Sequence, residues 1–284
     1  EVVGMYNLLS ANFARLRKSR AFYVAVAAML LYALFVVGTC WRAFLSGQPF
    51  EAGMEDLLLF AFATARVIPT PAFMTAPLVS VFLGAEFSDG ALRNKLIAGR
   101  TRTEIYFANL LTCMGAALLL AMVYVVLTFA AGMPVLKGFR IPIPQVLALL
   151  GAGLLALCAY GSVLNMAAML MGNKANTAIL TLTAAVVVTV FLGITLERLD
   201  APEFTAIYDI TGRYIEERIP NPAYIRPPAR AGNEFLLDLF PTGQCLRLSV
   251  QEVEKLWRLP LLSLAVIAGS SAVGAGCFCR KDIR

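Results

Sequence analysis

The sequence contains no histidine and few charged residues. Histidine is missing from all 284 positions, so histidine-based catalysis and zinc sites with histidine ligands are excluded. Charged residues make up 15% of the chain, against about 25% in an average soluble domain, which is too few to cover a globular surface. Hydrophobic residues, at 59%, collect in long uncharged runs. This composition predicts a polytopic membrane protein and argues against a disordered, collagen-like or disulfide-rich chain.

The sequence also lacks the motifs of several other functional classes. It has no G-x-x-x-x-G-K-[ST] phosphate loop, so we do not expect this chain to hydrolyse ATP. Five of the six cysteines lie in or beside apolar runs, where cysteine behaves as a small hydrophobic residue. Their spacing does not predict a metal site. No basic stretch with interleaved aromatic residues predicts nucleic-acid binding. We therefore expect neither an enzyme nor a metal-binding or nucleic-acid-binding protein.

Six apolar runs are long enough to cross a bilayer, whose core of ~30 Å needs ~20 helical residues. We predict an all-α membrane protein with six transmembrane helices, at about 22–41, 66–85, 105–131, 145–171, 175–196 and 259–279. The start of the second span is the weakest boundary, because 57–65 is also apolar. Pro69, Pro71 and Pro77 are expected to kink this span, and Arg66 to lie at its outer end. Residues 1–4, ahead of Met5, are interpreted as a remnant of the expression vector, which leaves 5–284 as one transmembrane domain.

The distribution of lysine and arginine predicts how the spans are oriented. The segments on the side of the two chain ends carry twelve basic and five acidic residues. The other side carries twelve basic and thirteen acidic residues over about twice the length. By the positive-inside rule the first side faces the cytoplasm. Both the N-terminus and the C-terminus are therefore predicted to be cytoplasmic.

Two segments outside the spans are expected to form helices. In 6–20, apolar residues at helical spacing precede a basic cluster, which predicts an amphipathic helix on the inner leaflet. Its apolar residues are Leu9, Phe13 and Leu16. Residues 197–257 are predicted to form a helical extracellular cap between helices 5 and 6. Within it, 243–257 is expected to be one helix and 235–240 to dip back into the membrane.

The loop 86–104 is the largest cytoplasmic connection. Ser88 or Asp89 is expected to cap a short helix that runs through Ile97, and Gly99 to end it. One face of this helix would carry Leu92, Leu96 and Ile97. Such a helix could dock on a cytoplasmic partner. Alternatively, the segment is a loop whose basic residues only set the membrane orientation. The residues by themselves leave both interpretations open.

The predicted spans contain no charged residue apart from Arg66 at an interface. Ion-coupled transporters usually hold ionisable groups at membrane depth, so a secondary transporter is disfavoured, although sodium sites built from backbone carbonyls stay compatible with the sequence. The notable polar side chains at depth are Tyr124, Tyr160 and Asn165. Asn165 is expected to bond a neighbouring helix or, as the alternative, to line a substrate path with the two tyrosines.

Residues 86–106 resemble the segment that follows the second span in bacterial ABC type-2 transporter permeases. The residues that carry the resemblance are Glu86, Phe87, Gly90, Leu92, Arg93, Asn94, Lys95, Leu96, Gly99, Arg102 and Tyr106. Pro241-Thr242-Gly243-Gln244 before the last span, Phe278 with Lys281-Asp282-Ile283 at the C-terminus, and the basic N-terminal helix also fit that family.

The resemblance implies a permease subunit of an ATP-binding cassette exporter in the bacterial cell membrane. Two permeases, identical or related, would enclose the substrate path within the membrane lipid. A separate ATPase that binds ATP and Mg²⁺ would dock on 86–104, where the implied coupling residues also include Asp89. In that arrangement Glu86 would anchor the second span, and Arg93 and Lys95 would make charge contacts with the ATPase. Leu92 and Leu96 would fill its groove.

Two other functions stay open at this point. A non-transporting sensor or immunity subunit, which extracts a peptide from the membrane, would share the ATPase partner but show no vectorial flux. A secondary transporter would need no nucleotide. The substrate is not specified, because an uncharged path suits lipids, hydrophobic peptides and drugs equally.

Overall fold

The computed structural model describes residues 2–47, 52–64, 70–136, 138–208, 214–251, 253 and 255–281. This part of the chain is predominantly helical and contains one small sheet. Its elements are α1 Val2–Lys18, α2 Arg20–Leu45, α3 Met54–Leu59, α4 Thr70–Ser88, α5 Ala91–Ile97, α6 Arg102–Gly132, α7 Ile143–Met171, α8 Lys174–Asp200, β1 Phe204–Tyr208, β2 Tyr214–Pro220, α9 Pro227–Leu239, α10 Pro241–Leu248 and α11 Arg258–Arg280.

Five helices, α2, α6, α7, α8 and α11, are long and apolar enough to cross a membrane. They overlap five of the six predicted spans; each begins before the predicted range, and all except α7 also end beyond it. Helix α4 occupies the place of the second predicted span, and its apolar part, Phe73–Ser88, is shorter than the other five. Pro71 lies in its first turn and Pro77 in its interior. Arg66 and Pro69 lie outside the described residues.

Within the apolar stretch 57–65, the described residues 57–64 do not belong to α4, which begins at Thr70. The first residues of this stretch belong to α3, a short helix whose Leu57 and Leu59 are fully buried. Gly132, at the end of α6, packs directly against Met54 and Leu57 of this helix. Burial against α6 explains why the stretch is apolar although it does not form part of a span.

Helix α7 lies at the centre of the bundle and packs against α4, α6, α8 and α11. Small residues permit close approach, as at Gly161, where an added Cβ would lie 3.3 Å from the Cys113 backbone of α6. Ser270 and Gly274 of α11 are buried inside the chain, and the hydroxyls of Ser162 and Ser270 are hydrogen-bonded to each other. Ser270 and Gly274 therefore make intrachain contacts.

Helix α1 packs along α6 and not only along a lipid surface. Leu8 and Leu16 are buried, and Phe13 contacts Gly115 of α6. Asn12, on the same side of the helix, is also buried. The amphipathic helix predicted over 6–20 is present but ends at Lys18, and its inner face is occupied by protein.

The prediction of a purely helical cap was wrong. Strands β1 and β2 form an antiparallel pair after α8, and only then do α9 and α10 follow. The helix predicted over 243–257 ends at Leu248, and Gln251 beyond it has a positive φ of 59°. Amphipathic spacing could not show this break, because Val250 and Val253 continue the apolar period through the turns.

The turn between α9 and α10 depends on a glycine. A Cβ at Gly243 would collide with the Leu237 carbonyl oxygen and lie 2.9 Å from the Leu237 Cα, so backbone would have to move. We expect Gly243→Ala to lower the free energy of unfolding by about 1–3 kcal/mol. Gly232→Ala is the matched control, because an added Cβ in α9 meets nothing within 4 Å. It should be neutral or slightly stabilising. Thermal unfolding of both variants in the same detergent compares them, and equal melting temperatures would contradict the packing argument.

Candidate functional site

Helix α5 is a short element between two long helices at one end of the bundle. That end, called the α5 end, also holds α1 and the carboxyl terminus of α11. Gly90 occupies the N-cap position of α5 with φ 69°, and Gly99 follows the helix with φ 80°. Left-handed backbone of this kind favours glycine. The expected end at Gly99 is confirmed, but the predicted cap at Ser88 or Asp89 was wrong.

A buried carboxylate organises the α5 end. Glu86, at the end of α4, is fully buried. Its Oε1 accepts hydrogen bonds from Arg15 of α1 at 2.6 Å and from Lys95 of α5 at 2.5 Å. Its Oε2 accepts one from Asn109 of α6 at 2.6 Å. One carboxylate therefore ties four helices together.

Two asparagines complete this network. The Asn12 amide of α1 donates to the Asn109 side-chain oxygen at 2.7 Å. The Asn12 oxygen accepts from Lys95 Nζ at 2.9 Å. Arg15 also lies over the Phe82 ring, 4.1 Å from its centroid. We call the set Asn12, Arg15, Glu86, Lys95 and Asn109 the Glu86 network.

The Glu86 network contains two basic side chains, Arg15 and Lys95, and one carboxylate. Burial lowers the pKa of the Lys95 ammonium, and the neighbouring Glu86 carboxylate opposes that shift. Buried charges are tolerated when they are paired and hydrogen-bonded, whereas removing one partner is strongly destabilising. The network thus fixes α5 to other helices, because Lys95 donates to Glu86 of α4 and to Asn12 of α1, and Glu86 also accepts from Asn109 of α6.

The inner face of α5 packs into the protein. Leu92 is only 1% exposed and lies in one apolar cluster with Leu8, Tyr106 and Phe278, against which Leu96 also packs. The expectation that Leu92 would fill a partner's groove was therefore wrong, because its side chain is already covered within the chain. The expected charge contact of Lys95 with a partner is corrected in the same way, since Lys95 turns inward to Glu86.

The outer face of α5 is exposed. Ile97 is 78% exposed and so does not share a face with buried Leu92, contrary to the predicted stripe. Arg93 and Asn94 are exposed beside it, as are Asp89 and Gly99 at the helix ends. An apolar side chain next to a cation is thus presented on a helix whose other face is fixed.

A second set of contacts fastens the carboxyl end of α11. Arg102 donates to the main-chain oxygens of Phe278 at 3.3 Å and Cys279 at 3.1 Å, and to that of Lys281. Lys281 Nζ donates to the Leu170 carbonyl at 2.7 Å and lies 5.1 Å from the Phe87 ring centroid. Burial lowers the pKa of the Lys281 ammonium. Asp282 and Ile283 lie outside the described residues.

The three polar residues expected at depth have different surroundings. The Tyr124 hydroxyl donates to the Leu57 carbonyl at 3.1 Å and its ring stacks on Tyr32, so this residue has a packing role. Asn165 is buried with its Oδ1 4.0 Å from the Cys113 sulfur, which agrees with a contact to a neighbouring helix. The Tyr160 hydroxyl is buried and has no hydrogen-bond partner among the described residues.

Sequence reasoning missed three members of the Glu86 network. Arg15 belongs to the basic cluster of 6–20, whose spacing predicts only an amphipathic helix, and no motif includes Asn12 or Asn109. Asn109 carried a usable signal, since it is an amide inside a predicted apolar span, where polar side chains usually have a specific partner. Asn12 and Asn109 are 97 positions apart, and no rule of local sequence spacing could pair them.

The fold and this site define a multi-pass helical membrane protein with a short helix, α5, bonded into the bundle between two long helices. A family model described as "ABC-2 family transporter protein" matches residues 8–193, more than half of the chain. The chain therefore belongs to the ABC-2 transporter family and is the membrane subunit of an ABC transporter. The match includes the whole Glu86 network and ends within α8. No curated protein matches the chain.

Proposed function

We propose that this chain is the permease subunit of an ATP-binding cassette exporter, driven by a separate ATPase that docks on the outer face of α5. The observation that carries the proposal is the two-sided character of α5. Its inner face is fixed by the Glu86 network and by Leu92, and its outer face presents Arg93, Asn94 and Ile97. Asp89 and Gly99 border that outer face.

A helix held in this way can transmit movement. Glu86 joins α5 to α4, α6 and α1 through hydrogen bonds of 2.5–2.6 Å. Displacement of α5 by a docked ATPase would therefore displace the ends of three other helices, instead of bending a loop. ATP and Mg²⁺ would bind in the ATPase and not in this chain.

The remaining parts of the proposal concern assembly and topology. We propose a second permease, identical or related, as partner, and a bacterial inner membrane with both chain ends and α5 on the cytoplasmic side. Helix α4 would be the sixth span. The basic charge at the α5 end supports this orientation, with Arg17, Lys18, Arg93 and Arg100 close to it. The turn between α9 and α10 would enter the membrane from the other side.

The experiment that tests the proposal is purification from the native membrane in mild detergent, followed by mass spectrometry of the associated proteins. We expect an ATP-binding cassette protein at equal stoichiometry with the permease. A second, related permease in the same complex would show a heterodimer, and its absence from a complex of dimer mass would show a homodimer. ATP-driven flux in reconstituted vesicles would then show transport.

Three results would contradict the proposal. Recovery of the chain without any nucleotide-binding protein, even after crosslinking, would leave α5 without its partner. An ATPase that co-purifies but drives no flux would instead support a sensor or extraction subunit. Flux that needs no nucleotide would indicate a secondary transporter.

A further inference from the structure

An apolar cavity of about 440 Å³ lies between α7, α8 and α11. The turn between α9 and α10 closes one of its sides with Phe240 and Pro241. Its other walls are aliphatic, with Val163 and Leu164 from α7 and Val266 from α11. None of its lining residues carries a charge.

The cavity contains one hydroxyl that lacks a partner. Tyr160 lines the cavity and is 9% exposed, and its Oη has no hydrogen-bond partner among the described residues. Thr181, also in the lining, is already committed to the Thr177 carbonyl at 2.8 Å and to the Ser80 hydroxyl at 2.7 Å. A buried hydroxyl without a partner is unfavourable, so a ligand that accepts its hydrogen bond would gain affinity.

The cavity opens sideways near the middle of the bundle. Tyr160 lies eleven residues before the end of α7, which places it roughly 17 Å from that end along the helix axis. Leu180 and Phe240, which also belong to the lining, are 41% and 38% exposed on the outer surface. A compound would therefore enter from the bilayer and not from water at either end.

We infer that this cavity binds an uncharged lipid amphiphile from the bilayer, whose oxygen accepts a hydrogen bond from Tyr160. The aliphatic walls suit an acyl chain, and the unpartnered Tyr160 hydroxyl suits one ester carbonyl or hydroxyl. An ionised headgroup is excluded, because no charged side chain lines the cavity to compensate it. The inference deepens the proposed function, on which it rests, by naming the class of compound that the permease takes.

The test is photolabelling of the purified full-length protein in nanodiscs with a diacylglycerol that carries a diazirine on one acyl chain. Phosphatidic acid with the same chains and diazirine is the charged comparison. Mass spectrometry locates the labelled peptides. We expect diacylglycerol to label the α7, α8 and α11 segments that line the cavity, with much weaker labelling by phosphatidic acid.

Variants make this test specific. Tyr160→Phe keeps the ring and removes the donor, and should weaken diacylglycerol binding about fivefold, as expected for one hydrogen bond. Ala184→Trp places a large side chain in the lining near the opening and should abolish labelling. Val186→Trp, on the same helix but outside the lining, is the matched control and should label like the native protein.

Equal labelling of native protein, Tyr160→Phe and Ala184→Trp would overturn the inference, as would equal labelling by the two lipids. The assay contains neither ATP nor an ATPase. If labelling is not specific but the ATPase still co-purifies with the permease, the lipid site is refuted and the exporter is not. If no ATPase co-purifies, the exporter is refuted and the labelling result is unaffected.

Discussion

Glu86→Gln should lower the free energy of unfolding by about 3 kcal/mol, although the two side chains have nearly the same shape. The amide cannot neutralise Arg15 and Lys95, whose side chains are only 33% and 15% exposed. Both cations would stay partly buried without an opposite charge. Thermal unfolding of the native protein and the variant in the same mixed micelles measures the loss of stability.

Two companion variants separate charge from shape. Asp89→Asn is the control, because Asp89 is an exposed carboxylate three residues further along the chain and should tolerate the change. Lys95→Met removes the buried ammonium, and in combination with Glu86→Gln should restore at least 1 kcal/mol relative to the sum of the single effects. Additive single effects would show that Glu86 and Lys95 are not energetically coupled.

Ile97→Asp should reduce ATP-driven transport and ATPase association at least tenfold without changing the melting temperature. Ile97 is 78% exposed, so an aspartate there disturbs no internal packing, but it would place a charge in the proposed contact with the ATPase. The measurement is co-purification of the ATPase together with nucleotide-dependent flux in vesicles. Arg93→Glu, on the same outer face, should act in the same direction.

Leu92→Asp, on the buried face of α5, is the comparison that distinguishes a loss of docking from a loss of stability. Leu92 is 1% exposed inside the apolar cluster with Leu8 and Phe278, so a buried aspartate should lower the melting temperature before any docking is tested. Normal docking by Ile97→Asp and Arg93→Glu would remove the outer face of α5 from the mechanism. A loss of stability in Ile97→Asp would instead show that this face is covered within the chain.

Local sequence patterns were sufficient for the long helices and for the loop that carries α5. An uncharged run of about 20 residues has few stable alternatives in lipid, because its backbone must satisfy its own hydrogen bonds. Gly99 likewise predicted the end of α5, since its φ of 80° suits glycine. The cap was less predictable. Gly243 lies against the Leu237 backbone across the turn, and β1 pairs with the next strand along the chain, but helical periodicity predicts neither feature. Leu248 ends a helix that the apolar period alone would continue.

By itself, the sequence determined that this is a helical membrane protein without histidine chemistry, and the residues of 86–106 indicated its family. Only the tertiary structure decided which side of α5 faces inward. Leu92 and Lys95 are turned toward the bundle because Glu86, Arg15 and Asn109 come together there from three other helices. Pairing over such separations depends on how the helices pack, and helical periodicity reports only which residues share a face, not what that face contacts.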